Sequence, residues 1–215
     1  MPNCQLASLH AKPTKKKRLL SCPVKKNKNE KKKMAAVLLV VGMQNDKYGA
    51  RAAYTCNTSL ARVNDCILAA RQREWQVVFA LDLHHPQHMS FQTQPAHCVL
   101  RSWGSDIVNG LQYGFDGSDM VVRGLDKDDD SDDAFFVSNL FAESPSQLRK
   151  LLASRRLCLC GFSPDGCIEQ TAITASTRGY CQGDPVVISD CSSLLTPCLS
   201  PYLSLKTLDE LMAMW

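Results

Sequence analysis

The sequence predicts an α/β protein, a three-layer, doubly wound and mostly parallel sheet with helices on both faces. Three observations predict it. Short stretches that are apolar on both faces, the mark of a sheet buried on both sides, recur along the chain. Stretches of helical periodicity alternate with them, which implies right-handed crossovers between parallel strands. No period of about 20–50 residues repeats, and no apolar run reaches the roughly 18 residues of a membrane span.

Each element has its own reason. AAVLLVV (35–41) is a fully apolar strand. NTSLARVNDCILAARQR (57–73) places apolar residues at 60, 63, 67 and 68, one face of a helix, with Asn57, Thr58 or Ser59 as cap. WQVVFALD (75–82) is a second buried strand, ending on Asp82. DMVVRG (119–124) is a short third strand. SPSQLRKLLASRR (144–156) is a helix, with Ser144 as cap and Pro145 at its first position. LCLCGF (157–162) is a fourth strand, and CIEQTAITASTRG (167–179) a helix stopped by Gly179. PVVISD (185–190) is a fifth strand, and LKTLDELMAM (205–214) a closing helix.

Charge divides the chain in two. Residues 1–33 hold ten Lys, one Arg and one Glu, a balance of +10; the chain carries +4, which leaves −6 for 34–215. Residues 1–34 are therefore read as a basic arm, disordered in isolation, and 35–215 as the globular domain. The run at 12–33 suits a solvated tail, a nuclear address or an arm that binds RNA or another acidic partner. A mitochondrial leader is a weaker reading, because such leaders favour Arg over Lys. Eleven cysteines, an odd number with no signal peptide, argue for free thiols inside the cell, in cytoplasm, nucleus or mitochondrion. Cys158 and Cys160 alternate within a strand and lack the second thiolate pair of a structural zinc site.

In a parallel sheet ligands bind beyond the C-terminal ends of the strands. Four such ends carry chemistry: GMQND (42–46), Asp82–His85, Arg123-Gly124 and GFSPDGC (161–167). Four of the five histidines lie between 84 and 97. Asp82 and His84, two apart, can address one centre, and His97 can fold back to join them. One carboxylate and two imidazoles leave open positions on a zinc-like or iron-like ion. The bland alternative makes His84, His85 and His88 exposed loop residues. Cys167 sits where a strand turns into a helix, so the positive end of the helix dipole favours its thiolate. Amides there can also hold the oxyanion of an acyl-transfer intermediate.

VLLVVGMQND, LDLHHPQHMSF, PAHCVLRSWGSDI, VVRGLDKDDDSDDAFF and LCLCGFSPDGCIEQTAITASTRGY together resemble the nicotinamidase branch of the isochorismatase-like cysteine hydrolases. The resemblance covers residues 35–215 and implies the isochorismatase-like hydrolase fold. It implies that Asp82, His84 and His97 bind a divalent metal, usually zinc, which holds the pyridine nitrogen of nicotinamide. His88 then stands behind the ligands. It implies that Cys167 attacks the carboxamide, that a thioester forms with release of ammonia, and that water frees nicotinic acid, a step of NAD salvage. It implies a cis peptide at Phe162-Ser163 that shapes the oxyanion hole with the Cys167 amide. It also implies assembly into homo-oligomers.

The departures from the family are specific. The general-base aspartate of the family falls at Gly42, which has no side chain to take a proton. The family lysine falls at Arg123, which keeps the charge but cannot give up its proton. A pocket tryptophan falls at Leu83, and a tyrosine at Asp132 or Asp133. Asp46 matches a second family aspartate that supports the loop, and Cys98 matches a structural cysteine. Two function classes follow: an impaired, metal-assisted amidohydrolase of nicotinamide or a similar small amide, or an inactive binding module docked through its basic arm. Restoring an aspartate at 42 is expected to raise turnover. DKDDDSDD (126–133) lacks calcium-loop spacing and reads as an exposed acidic loop.

Overall fold

The computed structural model describes residues 36–48, 59–114, 119–125, 145–162, 166–193 and 203–214; for 123–125 and 145–147 it describes the backbone alone. The basic arm, Ser144, the 126–133 loop and Ser163–Asp165 lie outside the described residues. The strands are β1 (Ala36–Val41), β2 (Gln76–Leu83), β3 (Met120–Leu125), β4 (Arg156–Phe162), β5 (Val186–Ser193) and β6 (Ser204–Lys206). The helices are α1 (Leu60–Gln72), α2 (Pro145–Leu152), α3 (Cys167–Thr177) and α4 (Leu208–Ala213).

The strands form one sheet in the order β3-β2-β1-β4-β5-β6, and every ladder is parallel. The order reverses direction at β1, as in a doubly wound sheet. Period-two alternation sends β1 side chains to two separate cores. Leu38 and Val40 join Phe79, Cys158, Cys160 and Ile188 beneath α1 and α4. Val37, Leu39 and Val41 join Val78, Leu159 and Val187 beneath α2 and α3. Every residue of β1 is buried, which is why its sequence reads as continuous apolar rather than alternating. Cys158 and Cys160 are strand residues of the first core, and burial pushes the Cys158 thiol up to about 12. The described cysteines are all free thiols.

Two elements differ from expectation. The closing helix is shorter: residues 204–206 pair with β5 as a sixth strand, and the helix starts only after Thr207. The cause is a capping box, in which the Thr207 hydroxyl accepts from the Glu210 amide while the Glu210 carboxylate accepts from the Thr207 amide. The helix expected over 144–156 stops at Leu152, because Ser154 takes a left-handed φ of 66° and Arg156 already opens β4. No described helix is long and apolar enough to cross a membrane.

Candidate active site

The sheet order makes β3, β2, β1 and β4 consecutive neighbours, so the four strand ends singled out above lie side by side. Each end is built differently.

At the end of β4 the chain runs through Gly166, with φ of 79°, into α3. Cys167 is the first residue of that helix and is 5% exposed. Its Sγ lies 3.8 Å from the Thr171 hydroxyl, one turn along. The strand ends on buried Phe162; the Phe162-Ser163 bond expected to be cis reaches a residue outside the described set.

At the end of β1 the loop is pinned by its own polar side chains. The Gln44 amide clamps Asp82 through the backbone on both sides: Nε2 donates to the Asp82 carbonyl and Oε1 accepts from the Asp82 amide, each at 2.8 Å. Asn45 donates to the Trp103 carbonyl at 2.9 Å. Asp46 accepts from the Cys98 amide at 2.8 Å. Its carboxylate rests so close to Gly104 that a Cβ there would lie 1.7 Å from Oδ2. Asp46 is thus committed to holding the 97–104 segment.

Gly42 has φ of 62°, the left-handed region where a side chain is strained. A Cβ built on it would sit 2.2 Å from the Phe162 carbonyl oxygen and 3.4 Å from Cδ of Lys47. An aspartate at 42 therefore has to move the backbone first, because the Phe162 carbonyl takes the place of its Cβ.

Lys47 is the residue that sequence reasoning missed. It is buried, at 1% exposure, and its ammonium forms an ion pair with the Asp82 carboxylate, itself largely buried. A buried ammonium needs such a partner, since an uncompensated charge costs several kcal/mol. In sequence Lys47 stands six residues beyond the end of β1, in a loop, and nothing there marks it as buried.

At the end of β2 the histidines do gather. The His84 amide donates to the Cys98 carbonyl and the Leu100 amide to the His84 carbonyl, at 3.0 and 2.9 Å, in a bridge that draws 97–100 against 84. The His84 ring centre lies 4.7 Å from that of His97 and 4.9 Å from that of His88. Phe91 packs edge-on against all three, at 5.6–5.7 Å. His97 Nδ1 is 2.9 Å from the Pro95 carbonyl, which only accepts, so that nitrogen carries the proton. His88 Nδ1 is 2.6 Å from the Ser90 hydroxyl, and His85 is exposed. The bland reading thus fits His85 alone.

Asp82 does not join this group as a ligand, because its carboxylate carries Lys47. Among the described residues no three His, Cys, Asp or Glu side chains converge as a metal-ion site. Asp82, His84 and His97, the expected ligands, therefore do not fit a divalent ion as they stand. Arg123 occupies the β3 position opposite Leu81, one residue before the partner of Asp82.

Comparison with known proteins agrees with this architecture. The model of the isochorismatase domain matches residues 36–213. N-carbamoylsarcosine amidase from Thermoplasma acidophilum is 21% identical with a TM-score of 0.63, over 82% of this chain and 98% of that one. The pyrazinamidase of Pyrococcus horikoshii, solved in complex with zinc, is 20% identical with a TM-score of 0.62, over 80% and 99%. PnC1 of L. infantum, solved with nicotinate, is 21% identical with a TM-score of 0.62, over 83% and 95%. A search of curated proteins gave no match. At such identities the solved structures speak for the fold, and the domain match over nearly all of the described residues speaks for descent: the chain belongs to the isochorismatase family of hydrolases.

Proposed function

We propose that the chain is a thiol-dependent amidohydrolase of the nicotinamidase type, acting slowly on nicotinamide or a similar small amide. The observation that carries this reading is Cys167, a buried thiol at the start of α3, just beyond β4, the strand next to β1 in the sheet. The dipole of α3 favours its thiolate and a developing oxyanion near the Cys167 amide.

Sulfur adds to the amide carbon, the C–N bond breaks, and the nitrogen leaves as ammonia once it has gained a proton. Water then adds to the thioester carbon, the C–S bond breaks, and the acid and the thiol are released. Both proton transfers need a carrier. The family position for it is Gly42, so water has to serve, at a loss of about 10²–10⁴-fold in rate. Arg123 keeps a positive charge at the lysine position of the family and favours the thiolate from there. The zinc implied by the resemblance would polarise the substrate, but it needs the carboxylate that Lys47 holds.

The test is ammonia release from nicotinamide by the full chain against Cys167→Ala. Slow release that the substitution abolishes supports the reading, and equal release from both proteins refutes it. Gly42 and the Lys47–Asp82 pair also favour the second reading, an inactive module that binds through residues 12–33. It predicts no turnover by either protein, and RNA binding that weakens steeply with salt and disappears when residues 1–33 are deleted.

A further inference from the structure

We propose that Lys47 is this chain's built-in replacement for the divalent cation, an ammonium that balances Asp82 and leaves the His84–His97 pair without its third ligand. The proposal rests on the family reading of the site, though on no assumption about turnover.

Three features support it. The Lys47 ammonium and the Asp82 carboxylate pair in a buried setting, where each is the charge the other requires. The lysine stem runs beside Gly42, with Cδ of Lys47 3.4 Å from where a Gly42 Cβ would be, so position 42 carries no charge to compete with Asp82 for the ammonium. Finally, the Gln44 clamp holds the Asp82 backbone at the strand end, which keeps the base of its side chain within reach of the lysine.

The remaining donors are nearly arranged for metal. Asp82 and His84, two apart at a strand end, share one face of the sheet. His97 is next to His84 and holds its proton on Nδ1, which leaves Nε2 as the acceptor in the neutral ring. A dication placed among them would meet the Lys47 ammonium as a like charge. Freed from Lys47, Asp82 would complete a carboxylate–imidazole–imidazole set of the kind that open zinc and cobalt sites use.

The experiment uses cobalt(II) as the probe, because its spectrum separates nitrogen and oxygen ligands from the chain's many thiols. Full-length wild type, His97→Ala, Lys47→Met, Lys47→Met with His97→Ala, and Lys47→Met with Asp82→Asn are each dialysed against cobalt(II), then measured for metal content and visible absorption. The expected result is no nitrogen/oxygen-type cobalt spectrum in wild type. Lys47→Met should gain such a spectrum at about one ion per chain, and either second substitution should remove it. Wild type that takes up cobalt at a nitrogen/oxygen site lost in His97→Ala overturns the proposal, whatever the variants do. A folded Lys47→Met chain that gains no such site also overturns it. If Lys47→Met alone does not fold, the Lys47→Met/Asp82→Asn pair decides the matter: recovery of folding in the pair supports the ion pair as the obligate counter-charge, and failure to recover refutes it. None of these readouts depends on nicotinamide hydrolysis, so an inactive wild type leaves the proposal testable.

Discussion

The thiol side and the cation side of this site share one scaffold and are held differently. At the thiol side a buried strand leads through a glycine turn to Cys167 at a helix start. At the cation side Asp82 pairs with Lys47 while His84 and His97 pack against each other. The difference teaches that the partner a buried carboxylate holds depends on the charges its neighbours bring into the same low-dielectric space, and not on its own motif alone.

The comparison is broken most sharply at the thiol. Cys167→Ala is expected to take ammonia release to background while shifting the melting transition only modestly, because it removes a single buried sulfur beside Thr171. A variant that keeps its activity would make the thiol side ornamental. Lys47→Met comes next, measured in stability: leaving the Asp82 carboxylate buried without its counter-charge should cost about 3–5 kcal/mol in urea unfolding. A cost below about 1 kcal/mol would mean that the pair is an ordinary surface contact.

Gly42 tests the seam between the two sides. Gly42→Ala should cost about 1–2 kcal/mol for the left-handed backbone alone, and more from contact with the Phe162 carbonyl. Gly42→Asp should be worse and should not raise turnover. An active, stable Gly42→Asp would show that Lys47 yields easily and that the site has merely lost its base. Asp46→Ala should cost about 1–3 kcal/mol by leaving the Cys98 amide without its acceptor. It should also loosen the His97 segment, seen as faster exchange of the amides at 97–100.

How much of this was legible in the sequence follows from where the information sits. The strands were legible because burial on both faces forces continuous apolar runs, and α3 because a glycine turn and a cysteine mark its start. β6 was not, since Ser204–Lys206 carries no strand pattern of its own and is defined by its neighbour β5. The histidine cluster was legible as spacing; its cause, the bridge of His84 to Cys98 and Leu100, was not. Lys47 was least legible. In sequence it is a lone lysine in a loop after a strand, and only its burial and its pairing with Asp82 give it meaning.

The smallest effect concerns the opposite face of the sheet, where the same physics joins β5 to the helices. Asp190 on β5 bonds Arg62 of α1 and accepts from the Leu208 amide at 2.8 Å, tying both helices of that face to the sheet. Burial opposes its ionisation, but the Arg62 guanidinium and the Leu208 amide outweigh burial and hold its carboxyl below the usual carboxylate range. A carboxyl depressed in the folded state stabilises it above the unfolded value and stops doing so as pH falls through the folded one. The melting temperature should therefore drop below about pH 4, and Asp190→Asn should flatten that part of the profile. The pair is partly exposed, so the effect is small and screened by salt. If Asp190→Asn alters the neutral-pH stability as strongly as Lys47→Met does, then burial is not what separates a charge pair that rewrites a site from one that merely fastens two helices.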